Sequence, residues 1–412
     1  MNAIRTLVMT LLTLAASNAS AQDWTRFRGP NGSGLGQADN LPARFGDKDF
    51  RWQVKLPGAG HSSPVLWGKK LFVTSAEDKT GKRLLQCLDA DDGKTLWTHS
   101  FGAQAGRMHR DNSVASATPA VDDQHVYVAW GNAKEYLVAA VDHAGKEVWR
   151  VDLGPYKSGH GFGASPIVVG DLLIVPNDQD GPGSIVALEC KTGREAWKVK
   201  RTGKASWATP CIFQPKNGTP EVICTSYEHG ISSFDARTGK RLWESDVFSK
   251  GHVESPIGSP IVAGDLVLGS AGWLAVNYEI IAVKPGLRNE SSRGKEIYRL
   301  DKGVPLCLTP LAKDELLFVW SDGGQCSCVD VHTGKVHWRE RVGGSFYGSP
   351  VCAGNRLYCI ARDGEVVVLS AARKFEVLAR NKLGEGSHST PALAHGRMYL
   401  RTFTQLFCLE GK

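Results

Sequence analysis

Residues 330–338 read DVHTGKVHW, and the purpose of Thr333-Gly334-Lys335 decides the fold. A phosphate-cradling loop needs an earlier glycine separated by four residues from the Gly-Lys pair, a Ser or Thr after it, and a helix beyond. Val336 follows Lys335 instead, and an aromatic strand pattern follows that. Nor is the stretch alone: DADDGKTLW (89–97), DHAGKEVW (142–149), ECKTGREAW (189–197) and DARTGKRLW (235–243) repeat it. The repeated element is a turn. Its acidic side chain can accept from the turn's backbone amides, its glycine takes the left-handed conformation, and its aromatic residue opens the next strand. Trp97, Trp149, Trp197, Trp243 and Trp338 hold equivalent places, with Tyr298 a sixth. Each is expected to bury a large ring between neighbouring sheets.

Working outward, a Ser/Thr-Pro dipeptide recurs at Pro64, Pro119, Pro166, Pro210, Pro260, Pro310, Pro350 and Pro391, spaced 55, 47, 44, 50, 50, 40 and 41 residues apart. Periods of this size signal repeat architectures. Units such as SPIVVGDLLIVPN and SPVCAGNRLYCIA give a short strand, a Gly-polar turn and a second strand. A third strand follows, in which one position is Cys87, Ala140, Ala187, Ser233, Ala282, Cys328, Val368 and Cys408 through the eight units. A position that stays small predicts close packing. With the Trp-bearing fourth strand, the pattern predicts an all-β chain. It forms a single eight-bladed β-propeller of four-stranded antiparallel blades over residues 50–412. The last unit ends after its third strand, and FRWQVKL (50–56), whose Trp52 matches the Trp column, is expected to close it from the N-terminal side. Residues 22–49 then form an arm across the ring. Unit five inserts PGLRNESSRGKE before its outer strand and unit seven replaces the turn with AARKFEVL, both read as longer surface loops.

Residues 1–21 carry Arg5, an apolar core over 7–16 and Ala19-Ser20-Ala21, the pattern of an export signal cut before Gln22. This places the protein in the periplasm or outside the cell. No later apolar run is long enough to span a bilayer. The net charge of +7 is spread thinly, which argues against nucleic-acid binding and for mild attraction to anions. Most of the ten cysteines stand where a small apolar residue would serve. Cys211 and Cys224 lie symmetrically about Asn217-Gly218, a hairpin signal, so a disulfide between them is one expectation.

With its D-x-x-T-G-x-x-x-W elements and DWTRFRGPNGSG, GHGFGASP and DKGVP, the mature chain resembles the pyrroloquinoline-quinone-like (PQQ-like) propeller repeat family, in particular its secreted bacterial members. The resemblance implies eight blades. It implies function less sharply, because the fold serves quinone-dependent alcohol and sugar dehydrogenases as well as an outer-membrane assembly scaffold. The dehydrogenases hold the quinone and calcium with an Asp, a Glu and an Asn, and some stack the ring on a vicinal disulfide. This chain has no adjacent cysteine pair and no Cys-x-x-Cys-His haem motif.

Loops joining one blade's outer strand to the next blade's inner strand converge at one mouth of a propeller channel. Here they carry His61, His109, Arg110, Asp111, Asn112, His160, Trp207, His252, Glu254, Tyr347 and His388. Imidazoles suit a transition metal, Glu254 with Asn112 suits calcium, and Trp207 offers a stacking face. The sequence therefore reads as an exported monomeric propeller, a binding or scaffold module for a small ligand or an envelope protein. The alternative is a periplasmic dehydrogenase using PQQ and calcium. An assembly factor would further show an exposed apolar patch on its rim or mouth.

Overall fold

The computed structural model describes residues 23–77, 80–103, 108–249, 256–273 and 276–411. The expected export signal, residues 1–21, lies outside them. In the turn quoted above, Asp330 Oδ1 accepts from the amides of His332 (3.2 Å) and Thr333 (2.9 Å) and from the Thr333 hydroxyl (2.8 Å). Gly334 has φ 74°, and a Cβ there would lie 2.7 Å from the ring of Tyr298 in the preceding blade. Gly93 meets Trp52 in the same way, Gly145 Trp97, Gly193 Trp149 and Gly239 Trp197. The glycine thus answers two demands, a left-handed backbone and room for the neighbouring ring. Each ring also donates to a carbonyl of the next blade. Trp52 reaches Ala90 (3.1 Å), Trp97 His143 (3.1 Å), Trp149 Cys190 (2.8 Å), Trp197 Ala236 (3.1 Å), Tyr298 Val331 (2.8 Å) and Trp338 Ala372 (3.0 Å).

Eight antiparallel sheets result: 65–103, 120–152, 167–203, 211–245, 261–300, 311–341, 351–382, and 392–410 with Phe50–Lys55. They are blades 1 to 8 below. The closing strand Phe50–Lys55 pairs with Gln405–Glu410, setting Trp52 opposite Cys408 and Lys55 opposite Gln405. This register explains the small column. Cys87, Ala140, Ala187, Ser233, Cys328 and Cys408 each stand directly across from a Trp, and Ala282 from Tyr298. The one larger member, Val368, faces Ala379. Volume is conserved across the pair.

The expected Cys211–Cys224 disulfide does not form, and both cysteines are free thiols. Cys211 pairs with Ile223, one residue short of Cys224. A slip of one residue turns a side chain to the other face of a sheet. Cys211 accordingly packs toward blade 5, with Val267 and Ile281, and Cys224 toward blade 3, with Ile174 and Ile185.

The two departures from the repeat are compensated. Blade 5 has no turn to receive Trp243, so the indole donates instead to the buried Glu221 (2.9 Å). Arg288 of the blade 5 insertion caps the other oxygen of that carboxylate at 2.7 Å. In blade 7, Phe375 packs edge-on against Trp338, with ring centroids 5.1 Å apart.

The arm occupies the channel itself. Trp24 bridges Leu66 of blade 1, the Val121 amide of blade 2 donates to the Thr25 carbonyl, and Asn31 exchanges two 2.7 Å hydrogen bonds with Ile212 of blade 4. Leu35–Gly36 then runs parallel to Val351–Ala353 as a fifth strand of blade 7, a pairing the sequence reading did not foresee. Arg26 and Arg28 are buried. Arg26 donates to the Pro210 carbonyl, and Arg28 to those of Pro310 (3.0 Å) and Pro350 (3.1 Å).

Among the described residues, no helix is long and apolar enough to cross a membrane. Among the described residues, the exposed large apolar side chains Leu96, Val148, Leu287, Ile297, Val336 and Val377 are spread over five blades.

Candidate functional site

Above the arm, the residues ahead of the eight prolines form a closed hydrogen-bonded ring. The Ser63 amide donates to the Thr118 hydroxyl (3.0 Å), Thr118 to Ser165 (3.0 Å), Ser165 to Thr209 (3.3 Å) and Thr209 to Ser259 (3.0 Å). Ser259 continues to Thr309 (3.0 Å), Thr309 to Ser349 (2.9 Å), Ser349 to Thr390 (2.9 Å), and Thr390 returns to Ser63 (3.2 Å). Each blade must offer a hydroxyl at this point, because the amide of the preceding blade has no ladder partner there and would otherwise be buried unpaired. This is why Ser/Thr-Pro marks every unit.

All eight ring residues line a cavity of about 320 Å³, with Phe27 of the arm also in its wall. The volume suits a small molecule. His61, His109, Asn112, His160, Trp207, Tyr347 and His388 line the cavity, as does Asp111. Arg110 does not. Its side chain is exposed, with Nε 3.7 Å from Asp111. His252 and Glu254 lie outside the described residues.

A polar knot spans the mouth. Arg362 donates to Asp111 Oδ1 at 2.6 Å, and its guanidinium lies 4.4 Å over the Tyr347 ring. The Tyr347 hydroxyl reaches Asp111 Oδ2 at 3.3 Å. Arg362 Nε also donates to His388 Nε2 (3.3 Å), so the proton of that imidazole sits on Nδ1, which donates to the Asp111 carbonyl (3.2 Å). His388 is therefore neutral. Burial, then Arg362, brings its pKa down to about 4. His61, whose ring centre is 4.5 Å from that of His388, is held lower still, at about 3, by burial and then by His388, Arg401 and Arg362. Burial and the neighbouring Asp322 push the Cys307 thiol well above its ordinary range. Trp207 donates to the Gly161 carbonyl at 2.8 Å and meets His160 edge-on.

Among the described residues, which do not include Glu254, the donor set does not fit calcium. Asn112 spends its amide on the carbonyls of His160 (2.7 Å) and Phe162 (3.2 Å), and its oxygen on Ser113 and Ser116. Asp111 is the one carboxylate lining the cavity among the described residues, and Arg362 neutralises it. Three metal-ligating side chains converge nowhere among the described residues.

Sequence reasoning missed Arg362 because it sits in the turn between the second and third strands of blade 7 (ARDG), not in an inter-blade loop. Such turns open on the same mouth: Asp322, in the matching SDGG of blade 6, binds the Leu306 and Cys307 amides at 2.6 and 3.0 Å. The ring hydroxyls were visible in the sequence as a repeat mark, but not as cavity wall.

A family model described as outer membrane protein assembly factor BamB matches residues 47–134, 134–285 and 279–410. The BamB of Burkholderia pseudomallei is 22% identical over 381 residues, covering 76% of this chain and 86% of that protein. The crystal structure of BamB from Moraxella catarrhalis aligns with a TM-score of 0.61 at 14% identity, over 88% of this chain and 98% of that one. Quinohemoprotein alcohol dehydrogenase from Comamonas testosteroni aligns at 0.68 with 15% identity, over 95% and 81%. At such identities the two structures speak for the fold alone. Matched from residue 47 to residue 410, this chain belongs to the PQQ-like propeller family typified by the outer membrane assembly factor BamB.

Proposed function

We propose that this protein is an exported, monomeric binding module that holds a small ligand at the hub of its propeller, on the side away from the arm. One observation carries the reading: a cavity of about 320 Å³ on the hub axis, walled by hydroxyls, imidazoles and aromatic rings. A hub needed only for structural closure could be filled by larger side chains, as the lower channel is filled by Arg26, Phe27 and Arg28. A scaffold role toward an envelope protein is compatible with the BamB-like family and would use the rim or mouth loops around the same cavity.

Native mass spectrometry of the protein as isolated from its exported compartment tests this. A bound small molecule retained by the wild type and lost in Trp207→Ala is the expected result. An empty wild-type hub would count against the reading. Reduction of an artificial electron acceptor with alcohols or sugars, on adding PQQ and calcium, would overturn it in favour of a dehydrogenase.

A further inference from the structure

The cavity has a chemical polarity that narrows its ligand. Each ring hydroxyl oxygen already accepts a backbone N–H. Among the described residues, none of the eight donates its own proton to a protein acceptor. The ring therefore presents a circle of O–H donors to the space above it. Two of the acceptors lining the cavity are spent: Asp111 is tied to Arg362 and Tyr347, and His388 Nε2 accepts from Arg362.

Charge points the same way. Arg26 and Arg28 lie immediately below the ring, bonded to the carbonyls of the prolines that follow three of its members. Arg401 flanks it, donating from Nη1 to the Ser62 carbonyl (2.8 Å) and hydroxyl (2.6 Å), next to Ser63 of the ring. These three arginines are at most 7% exposed. None of them is ion-paired among the described residues, and the Nε of each lacks a hydrogen-bond partner, as does Arg401 Nη2. A buried cation without a counter-ion costs several kcal/mol. A negative charge on the hub axis would recover part of that cost, with the ring protons as its hydrogen-bond donors.

We infer that the ligand of this cavity is a small oxyanion, a carboxylate, sulfate or phosphate group seated over the Ser/Thr ring on the hub axis. The inference rests on the binding reading above and gives it a substrate class. Equilibrium dialysis against radiolabelled sulfate, phosphate and acetate, at one ionic strength set with sodium chloride, tests it, with glucose as the uncharged comparison. Saturable binding of one oxyanion per chain, and none of glucose, is expected. Sulfate or phosphate alone would point to a free inorganic anion or its ester, and acetate to a carboxylate. Thr118→Val should weaken that binding about tenfold or more, while Thr118→Ser, which keeps the hydroxyl, stays near the parent. If Thr118→Val does not fold, the wild-type dialysis still decides, together with the imidazole NMR signals of His61 and His388, which should move on saturation. Glucose binding without oxyanion binding would overturn the charge assignment and leave the binding reading standing. Failure of every oxyanion to bind would overturn the inference, whatever native mass spectrometry shows of the isolated protein.

Discussion

Asp111 and Arg362, 251 positions apart in sequence, meet at 2.6 Å across the mouth of the propeller. Asp111 belongs to the long connection between blades 1 and 2, and Arg362 to a turn of blade 7, so their contact spans the side of the mouth formed by blades 8 and 1. The pair draws a loop over the cavity and sets the tautomer of His388.

The tie should be measurable as a coupling. Asp111→Asn and Arg362→Gln are each expected to lower protection from hydrogen exchange in residues 108–116. A double-mutant cycle in urea should give a coupling of about 1 kcal/mol, the upper range for a partly exposed ion pair. Strict additivity would show that the contact carries no energy.

The Ser/Thr ring predicts a chemical, not a steric, sensitivity. Thr309→Val keeps the shape but strands the Ser259 amide, now 3.0 Å from the hydroxyl. It should cost about 1–3 kcal/mol in denaturant unfolding. Thr309→Ser preserves the acceptor and should cost much less. Equal losses in the two variants would mean that packing, not the hydrogen bond, makes this position what it is.

Two glycines separate backbone strain from ring contact. Gly396 (φ 74°) has nothing within 4 Å of an added Cβ, whereas at Gly193 (φ 71°) a Cβ would lie 2.7 Å from Trp149. Gly396→Ala should therefore cost about 1–2 kcal/mol for the left-handed backbone alone. Gly193→Ala should add about 1–3 kcal/mol of overpacking. Thermal unfolding of the two variants compares them directly.

The cavity imidazoles predict an acid-side weakness. In the unfolded chain His61 and His388 titrate near 6.5, but in the folded protein they titrate near 3 and 4. Above pH 6.5 both states hold them neutral, and their contribution is complete. As the pH falls from 6.5 toward 3, the unfolded chain takes up protons that the folded one resists, so stability declines. His61→Gln should flatten the stability–pH curve in that window relative to wild type. An unchanged slope would place His61 in ordinary solvent.

The repeat made most of this architecture legible. Asp330, Gly334 and Trp338 encode a turn, a left-handed residue and a ring seat within nine positions, and each can be read locally. The small column could be seen too, but its cause could not. Only the cross-strand register shows that Cys87 faces Trp97 while Val368 faces Ala379. Register also undid the disulfide expectation, since a loop centre displaced by half a residue turns Cys224 away from Cys211. Of the site, the mouth loops could be found because they follow the period. Arg362 and the arm's Phe27 could not, because contacts made across a closed ring leave no trace in local spacing.

Cavity, ring and mouth all depend on the two chain ends completing one wheel, and amide hydrogen exchange across Phe50–Lys55 and Gln405–Glu410 measures that directly. The two strands should be protected together, to the degree of an interior strand such as Glu365–Ser370, and Trp52→Ala should release both in step. Rapid exchange of Phe50–Lys55 beside a protected Gln405–Glu410 would contradict the closure.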